Sequence, residues 1–393
     1  MHASYRSNLF NKLKFVVTII QLFMVSVSMF WLVLYIILSL NLEIGVNIQA
    51  VDIFCGAGGL TYGLNKSGIN VTHGVDFDEY CRFPIEENNS NTKFVHKSVT
   101  ELTEDEVDSM FVAGNIRLIA GCAPCQPFSK YSNLKNKKED DKWKLLSEFE
   151  RLVISIKPEL VTMENVPQLK DQTIFKAFVD NLEVNGYFVW YKVVNCSLYG
   201  LPQNRKRLIL LASLLGAIEI EEPDIENIVT VRDAIGSLPP IPAGSINQQD
   251  PMHRAPALKS INLKRIQASK AGGTWDDWPE YLLADCHKKQ SGSTYKSVYG
   301  RMSWGDTSPT ITTQCYGYGN GRFGHPEQDR AITLREAAII QSFPKDYQFL
   351  NQKVPFSFRK LGTMIGNAVP VRIGEVIGST FIKHVESKGI HSL

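Results

Sequence analysis

A cysteine with the surroundings of a nucleophile lies in the segment GCAPCQPFS, residues 121–129. The apolar run 116–122 predicts a buried strand, and Cys125 follows the carboxyl end of it, where parallel sheets place their reactive groups. Cys122 and Cys125 also form a Cys-x-x-Cys pair, which is typical of a metal half-site or a redox pair. The sequence has no second Cys-x-x-Cys and no matching histidine cluster, so we expect a nucleophile and no metal.

An acid and two arginines belong to other apolar runs. Glu164 stands in the run 158–166, and its carboxyl is interpreted either as a helix cap or as a proton donor. The basic segment QNRKR, residues 203–207, leads into a further predicted strand, in which alternation would put Arg205 and Arg207 on one face. These arginines are either surface charges or a pair directed at one anion or carbonyl group.

A glycine-rich turn, CGAGG at residues 55–59, separates the apolar run 48–54 from a predicted helix. Glycines let a ligand approach the backbone, and the N-terminus of the helix adds a favourable dipole. Asp76 ends the next predicted strand, 20 residues after Gly56, where folds of this kind place an acid against a ribose. No Lys-Ser or Lys-Thr stands at the spacing that a P-loop needs, so the pattern favours an adenosine-bearing cofactor.

These residues are positioned by apolar runs that alternate with predicted helices. The runs span residues 48–54, 69–76, 116–122 and 158–166. Strands that alternate with helices predict a parallel, doubly wound α/β sheet. The runs 187–195 and 207–212 lie close together and predict an antiparallel pair at one edge of the sheet. Two further helices are predicted at residues 332–343 and 370–386.

The composition is that of a folded protein and limits the choice of partners. The 393 residues are 44% hydrophobic and 21% charged, which excludes a largely disordered or low-complexity chain. Because the net charge is only +2, a polyanion would need a local basic patch. Residues 254–301 hold nine Lys or Arg against four acids, with Trp and Tyr between them, and form either a DNA face or a solvated surface. Seven scattered cysteines, an odd number, indicate a reducing compartment.

Six motifs follow one another along the chain: DIFCGAGG (52–59), PCQ (124–126), ENV (164–166), QNRKR (203–207), LREAAIIQSFP (334–344) and GNAVP (366–370). In order and spacing this series resembles the DNA (cytosine-5)-methyltransferases of restriction–modification type, over about residues 48–385. The resemblance implies an α/β fold, with a Rossmann-like S-adenosylmethionine-dependent methyltransferase sheet and a smaller, irregular target-recognition domain. We expect residues 46–212 to form the catalytic domain with the cofactor and nucleophile motifs, residues 213–356 the target-recognition domain with the LREAA segment, and residues 357–393 a segment that returns to the catalytic domain.

The resemblance also implies roles for individual residues. Cys125 would add as a thiolate to carbon 6 of a cytosine flipped out of duplex DNA. Glu164 would donate a proton to N3, while Arg207, together with Arg205, would stabilise the O2 side. The S-adenosylmethionine site falls on Phe54, Gly56, Gly58, Asp76, Phe77, Pro124 and Asn367. Asp76 would bind the ribose of the cofactor, and Phe77 would stack near its adenine.

Two departures from the family pattern stand near this site. The family often has Gly-Gly-Pro-Pro-Cys-Gln where this chain has Gly-Cys-Ala-Pro-Cys-Gln at residues 121–126. An acid that often contacts the adenine amino group appears here as Ser98.

Residues 129–144, with six lysines and three acids, are expected to form a loop that closes over the flipped base.

Other functions use the same motifs. A transfer-RNA methyltransferase of this fold would carry a Cys-Phe-Thr signature, which the sequence lacks. An inactive DNA-binding relative is opposed by the intact Cys125, Glu164 and Arg207. We expect double-stranded DNA as the partner, a cognate restriction endonuclease acting on the same site, a monomeric enzyme and a cytoplasmic location.

The first part of the chain does not fit this function. Residues 15–42 contain no charged side chain, whereas about 20 apolar residues are enough to span a bilayer. An anchor that keeps Arg6, Lys12 and Lys14 inside would export the rest of the chain, away from DNA and S-adenosylmethionine. We therefore expect residues 1–45 to be an extension translated from an upstream start codon or a dispensable one, with a membrane anchor as the alternative.

Overall fold

The structure is a computed structural model that describes residues 47–124, 139–223, 228–292, 296–351 and 353–389. These residues belong to one compact unit. Within it, the expected boundaries at residues 212 and 356 stay predictions. No helix of the described residues is long and apolar enough to cross a membrane. The apolar run 15–42 lies outside them, as do Cys125 and most of the expected loop 129–144.

Seven strands form the main sheet, in the order β3-β2-β1-β4-β5-β8-β6. The strands are β1 (Ile48–Ile53), β2 (Asn70–Asp76), β3 (Lys93–His96), β4 (Ile116–Gly121), β5 (Leu160–Asn165), β6 (Phe188–Asn195), β7 (Gln203–Asn204), β8 (Lys206–Ser213) and β9 (Ser308–Pro309). Strands β1 to β5 pair in parallel, whereas β8 runs antiparallel between β5 and β6. The predicted parallel, doubly wound sheet with an antiparallel edge is therefore confirmed. Short β7 and β9 form a separate parallel pair.

Helices cover the sheet and fill the second half of the chain. The α-helices are α1 (Gly59–Ser67), α2 (Arg82–Asn88), α3 (Glu104–Asp108), α4 (Glu139–Ile156), α5 (Thr173–Val184), α6 (Val231–Ile235), α7 (Ser260–Ala268), α8 (Leu334–Ile340), α9 (Phe358–Asn367) and α10 (Val371–Ser387). Two predicted helices, at residues 332–343 and 370–386, are present as α8 and α10. A capping box between Thr333 and Glu336 fixes the start of α8.

Buried apolar side chains form several cores. One lies between the sheet and helices α4 and α5, with Phe149, Phe175 and Phe178 almost fully buried. A second surrounds α8 and α9. A smaller core, around Trp275, Trp278 and Tyr318, lies within the irregular segment between β8 and α8. The described residues between β8 and α8 thus have few regular elements and divide between this small core and the second one.

Helices α1 and α10 pack with their backbones in close contact. A Cβ atom on Gly63 of α1 would lie 2.4 Å from the carbonyl oxygen of Val371 and 2.7 Å from Cα of Gly374, both in α10. Distances below 3 Å cannot be accommodated by rotating a side chain, because the neighbouring atoms are backbone. The contact therefore requires glycine at position 63.

We expect Gly63→Ala to lower the free energy of unfolding by about 1–3 kcal/mol, since the methyl group forces the two helices apart. Gly305→Ala is the matched control, because a Cβ atom there meets no other atom within 4 Å. Denaturant unfolding of both variants provides the measurement. Equal stability of the two variants would contradict the packing argument.

Candidate active site

Glu164 and Arg207, two of the proposed catalytic residues, meet at the edge where three strands end. Strands β1, β4 and β5 are parallel neighbours, so their carboxyl ends share one edge of the sheet. Strand β8 runs the other way, so its beginning reaches the same edge, with Glu164 opposite Ile209. The sheet therefore brings together the segments after β1 and β4, the end of β5 and the start of β8, which are far apart in the sequence.

Glu164 is a buried acid paired with an arginine. Its side chain is 3% exposed, and its Oε1 atom lies 2.9 Å from Nε of Arg207, whose side chain is 13% exposed. The contact is an ion pair without hydrogen-bond alignment, and Oε1 accepts no hydrogen bond from the described residues. The helical turn that follows β5 has Val166 as its N-cap, so Glu164 does not cap it. Of the two interpretations of this carboxyl, the helix cap is therefore wrong.

Cys122 lies against the same carboxyl. Its Sγ atom donates a hydrogen bond of 3.1 Å to Oε2 of Glu164. Burial of the sulfur and the charge of Glu164 raise the pKa of the Cys122 thiol well above its usual range. Sequence reasoning considered Cys122 only as a metal ligand or a redox partner and missed this contact. Among the described residues no group of three metal-binding side chains is present.

The neighbouring Asn165 fixes the segment that leads to Cys125. Its Nδ2 atom donates to the carbonyl oxygen of Ala123, at 2.9 Å. This bond ties the end of β5 to the residues just before Cys125. The sequence motif Glu164-Asn165-Val166 thus contributes two side chains with different tasks.

Arg205 is fully buried and forms hydrogen bonds to segments that are distant in the sequence. Its guanidinium donates to the carbonyl oxygens of Ile311 (3.0 Å), Gly366 (3.3 Å) and Ala368 (3.4 Å). Burial, and then the charge of Arg207, lower the pKa of Arg205 to about 9. The surface-charge interpretation is therefore wrong for Arg205, which is 2% exposed.

The glycine-rich turn after β1 has a backbone conformation that leaves room for a ligand. Phe54 and Gly56 have φ angles of 66° and 52°, in the left-handed region that favours glycine. A Cβ atom on Gly56 would meet nothing within 4 Å, so this glycine faces open space. At Gly58, by contrast, a Cβ atom would lie 2.7 Å from the hydroxyl oxygen of Tyr347. Gly56 is thus free to face a ligand, whereas Gly58 is required by packing inside the protein.

Asp76 closes this turn from the end of β2. Its Oδ2 atom accepts from the backbone N–H of Gly56 at 3.0 Å, and its Oδ1 atom from that of Asp78 at 2.9 Å. Burial raises the pKa of the Asp76 carboxyl, against the lowering effect of these hydrogen bonds. A carboxylate has about four acceptor positions, so two remain for ligand hydroxyl groups. The 20-residue spacing therefore reflects a direct contact between Gly56 and Asp76.

The other proposed cofactor residues differ in how far they are exposed. Phe77 is 69% exposed, which leaves its ring available for stacking. Asn367 is exposed at the end of α9, and Pro124 is half-buried after β4. Ser98, at the position of the family's acid, caps a helical turn by accepting from the N–H of Thr100. It holds local structure and supplies no carboxylate.

A further acid, Asp52, lies inside β1 and was missed by the sequence reasoning. It is 1% exposed, and its Oδ2 atom accepts from the hydroxyl of Thr61 in α1 at 2.6 Å. Burial raises the pKa of Asp52 to about 7. The sequence signal that could have identified Asp52 is an acid within an otherwise apolar run. The bond joins the strand before the glycine-rich turn to the helix after it.

The basic segment 254–301 splits into buried and exposed charges. Arg301 is buried and binds Asp329 at 2.7 Å, and Arg265 lies over the rings of Trp278 and Tyr299. Arg254 lies over the ring of Phe356, 4.4 Å from its centroid. The six lysines are exposed: Lys259, Lys264, Lys270, Lys288, Lys289 and Lys296. Only part of the predicted positive charge is therefore accessible to DNA.

Comparisons with known proteins point to one family. The family model described as C-5 cytosine-specific DNA methylase matches residues 48–383. The Type II methylase M.HgiDII of Herpetosiphon aurantiacus is 49% identical over 346 residues, covering 87% of this chain and 96% of the relative. A solved structure described as a DNA modification methyltransferase of an Escherichia coli prophage has a TM-score of 0.67 at 22% identity, covering 86% of this chain and 100% of that one. The Dnmt2 methyltransferase of S. pombe has a TM-score of 0.53 at 15% identity, covering 87% of this chain and 99% of that one. At these identities the two structures support the fold alone.

Proposed function

The chain belongs to the C-5 cytosine-specific DNA methylases, and from this we propose that it transfers a methyl group from S-adenosylmethionine to carbon 5 of a cytosine in a specific site of duplex DNA. The observation that carries the residue assignment is the buried pair of Glu164 and Arg207, at the sheet edge where β4 ends, three residues before Pro124 of the Pro-Cys-Gln motif. An acid and a cation held at 2.9 Å are suited to a ring that gains a proton and negative charge during the reaction.

We assign the nucleophile to Cys125, which lies outside the described residues. Carbon 5 of cytosine reacts poorly until a group adds to carbon 6. The Cys125 thiolate forms a sulfur–carbon bond there, and the displaced electron pair moves toward N3 and O2. Ala123, held by Asn165, positions the segment that carries this cysteine.

Glu164 and Arg207 receive the charge that the addition creates. The carboxyl group of Glu164 gives its proton to N3, and Arg207 stabilises the O2 side. When bound, S-adenosylmethionine supplies the methyl group that carbon 5 accepts. A base, for which water is the candidate, then removes the carbon 5 proton. The sulfur–carbon bond breaks to restore the Cys125 thiolate, and N3 returns its proton to the Glu164 carboxylate.

The arginine assignment is refined by the burial of Arg205. Its hydrogen atoms are directed at three backbone carbonyl groups. We propose that Arg205 supports the site through its charge near Arg207 and by holding residues 366–368, while Arg207 contacts the base. The pair is thus divided into a supporting and a contacting residue.

The residues around the glycine-rich turn fit S-adenosylmethionine. Gly56 faces open space, Asp76 keeps acceptor positions for ribose hydroxyl groups, and the exposed ring of Phe77 offers a stacking surface. Phe54, Gly58, Pro124 and Asn367 complete the proposed site. Gly58 contributes through packing of the turn.

Duplex DNA is the proposed partner, held in part by the exposed lysines of residues 254–301. The target cytosine must be flipped out of the stack, at a cost of a few kcal/mol. We propose a monomeric enzyme that acts in the cytoplasm and is accompanied by a restriction endonuclease for the same site. Residues 1–45 are proposed to be dispensable for the reaction.

A DNA duplex with 5-fluorocytosine at the target position is expected to trap the enzyme, because fluorine cannot leave as the proton does. The complex should survive denaturing electrophoresis and should form only when S-adenosylmethionine is present. The target site itself is found first, by sequencing DNA from a host that expresses the chain with a method sensitive to 5-methylcytosine. A complex that dissociates in denaturant or in high salt would disprove the covalent mechanism.

A further inference from the structure

A buried acid, Asp52, lies where β1 enters the glycine-rich turn, and no cation of the described residues is paired with it. We propose that Asp52 is a specificity-determining residue. Its negative charge favours the sulfonium cation of S-adenosylmethionine over S-adenosylhomocysteine, the uncharged thioether that remains after methyl transfer. The inference rests on the proposed function, since it takes the turn as the cofactor site. It gives a task to a residue that has no part in the proposed reaction steps.

The elements around the Asp52 carboxyl are the ones that form the turn. Its Oδ2 atom accepts from the hydroxyl of Thr61, in the first turn of α1, at 2.6 Å. On the sheet, Asp52 lies between Gly74 of β2 and Ala120 of β4, neither of which has a polar side chain. The carboxyl is therefore enclosed by strands whose ends border the proposed cofactor site, and by the helix that follows the turn.

The second carboxyl oxygen of Asp52 has no partner. Oδ1 is buried and accepts no hydrogen bond from the described residues, so Thr61 is the side chain that satisfies this acid. A buried carboxylate without a counter-charge is costly, because burial removes the water that would stabilise it. A cation that binds close to such a group is attracted more strongly than by a hydrated acid.

The titratable groups around Asp52 supply no positive charge. They are Asp76 at the end of β2, Cys55 in the turn and Cys122 after β4. Burial raises the pKa of Asp52 to about 7, while the hydrogen bond from Thr61 lowers it and the charge of Asp76 raises it further. A cationic ligand at the turn therefore meets an acid whose charge is not already neutralised by a described side chain.

The ligands of the proposed site differ in the charge that this acid would attract. S-adenosylmethionine has a positive sulfonium sulfur, whereas the sulfur of S-adenosylhomocysteine is neutral. Both ligands share the ribose, the adenine and the amino acid group. The open space at Gly56, four residues after Asp52, is where the backbone of the turn is free to face either ligand. The charge of Asp52 thus discriminates between two ligands of almost the same shape.

The interaction should appear in two quantities, because linkage is reciprocal. The factor by which ionised Asp52 strengthens binding of the cation is the factor by which the bound cation lowers the acid's proton affinity. We expect a factor of about three to ten, equivalent to about 0.5–1 pH unit. S-adenosylmethionine should therefore release protons on binding near pH 7, where free Asp52 is partly protonated. At about pH 9 the release should vanish, since free Asp52 is already ionised.

The test compares the two ligands on the full-length chain without DNA, by titration calorimetry in two buffers of different ionisation enthalpy. Near pH 7, S-adenosylmethionine should release about 0.3–0.5 proton more than S-adenosylhomocysteine through Asp52. Asp52→Asn keeps an oxygen that can accept from Thr61 but has no charge. It should remove this release and, at about pH 8, reduce the preference for S-adenosylmethionine about three- to tenfold.

Two comparisons make the result specific. Protons exchanged by the amino groups of the ligands are common to both proteins, so the contribution of Asp52 is the part that Asp52→Asn removes. Asp285→Asn, at an exposed acid of the irregular segment, should behave as the wild type. Thr61→Val provides a second test should Asp52→Asn fail to fold. Loss of that hydrogen bond raises the pKa of Asp52, so the proton release should move to higher pH.

The outcomes for this inference and for the proposed function are distinct. Equal proton release by the wild type and Asp52→Asn, with the same preference between the ligands, would overturn the role of Asp52 alone. So would a proton release that Thr61→Val does not move. Failure of the wild type to bind either ligand would instead overturn the proposed cofactor site. Thermal unfolding of each variant checks that it is folded.

Discussion

Cys125→Ser is expected to reduce methyl transfer by roughly a thousandfold or more while cofactor binding persists. A serine hydroxyl has a far higher pKa than a thiol, so it does not supply the anion that adds to carbon 6. The two quantities are measured separately, by transfer of a labelled methyl group to DNA and by equilibrium binding of S-adenosylmethionine. Substantial turnover by the serine variant would contradict the covalent mechanism.

The chain offers a matched control three residues away. Cys122→Ser makes the same chemical change next to Glu164, but leaves the proposed nucleophile in place. It should still form the denaturant-resistant complex with 5-fluorocytosine DNA, whereas Cys125→Ser should not. Trapping that followed position 122 and not position 125 would show that the nucleophile is wrongly assigned.

Glu164→Gln is expected to lower kcat by about a hundredfold to ten-thousandfold, with DNA affinity almost unchanged. The amide has the shape of the carboxyl, and its oxygen can still accept the hydrogen bond from Cys122. It cannot deliver a proton to N3. Because the substitution also removes the negative charge beside Arg207, the stability of the variant is measured alongside its kinetics.

The shape of the pH–rate profile gives the decisive comparison for this residue. The wild type and the glutamine variant should differ in the height and shape of this profile, since only the wild type has a carboxyl group that can deliver a proton to N3. A profile unchanged in height and shape would exclude Glu164 from the catalytic step. A general loss of stability would instead lower cofactor binding together with turnover.

Local sequence patterns were sufficient for six of the seven strands of the main sheet, all but β3, and for the edge where the site lies. The predicted run 158–166 contains the observed Leu160–Asn165, and 116–122 contains Ile116–Gly121. Apolar runs give such good boundaries because strands buried on both faces must be apolar throughout. The resemblance to the methyltransferase family then placed Glu164 and Arg207 in the same site, and the structure shows them in contact.

Long-range contacts explain what the sequence reasoning missed. Arg205 binds Ile311 and Gly366 across separations of 106 and 161 residues, which no local pattern can reveal. Helix α9 was not predicted, since Gly362 and Gly366 weaken its helical pattern. Tertiary packing explains why these positions are glycine. A Cβ atom on Gly362 would lie 2.7 Å from the carbonyl oxygen of Thr313, and one on Gly366 would lie 2.4 Å from the carbonyl carbon of Thr312. The burial of Arg301 was likewise missed, because the sequence alone counted it among the charges available to DNA.

The contacts of the glycine-rich turn have a consequence for synthesis of the enzyme on the ribosome. Tyr347 donates to the carbonyl oxygen of Ala57 at 2.7 Å across 290 residues, and Gly63 lies against α10. The turn therefore leaves the ribosome well before the residues that support it, which follow about 290 residues later. A nascent chain that has exposed β1, α1 and β2 still lacks this support. Methylation competence should therefore arise late in synthesis, so that unfinished chains do not modify DNA.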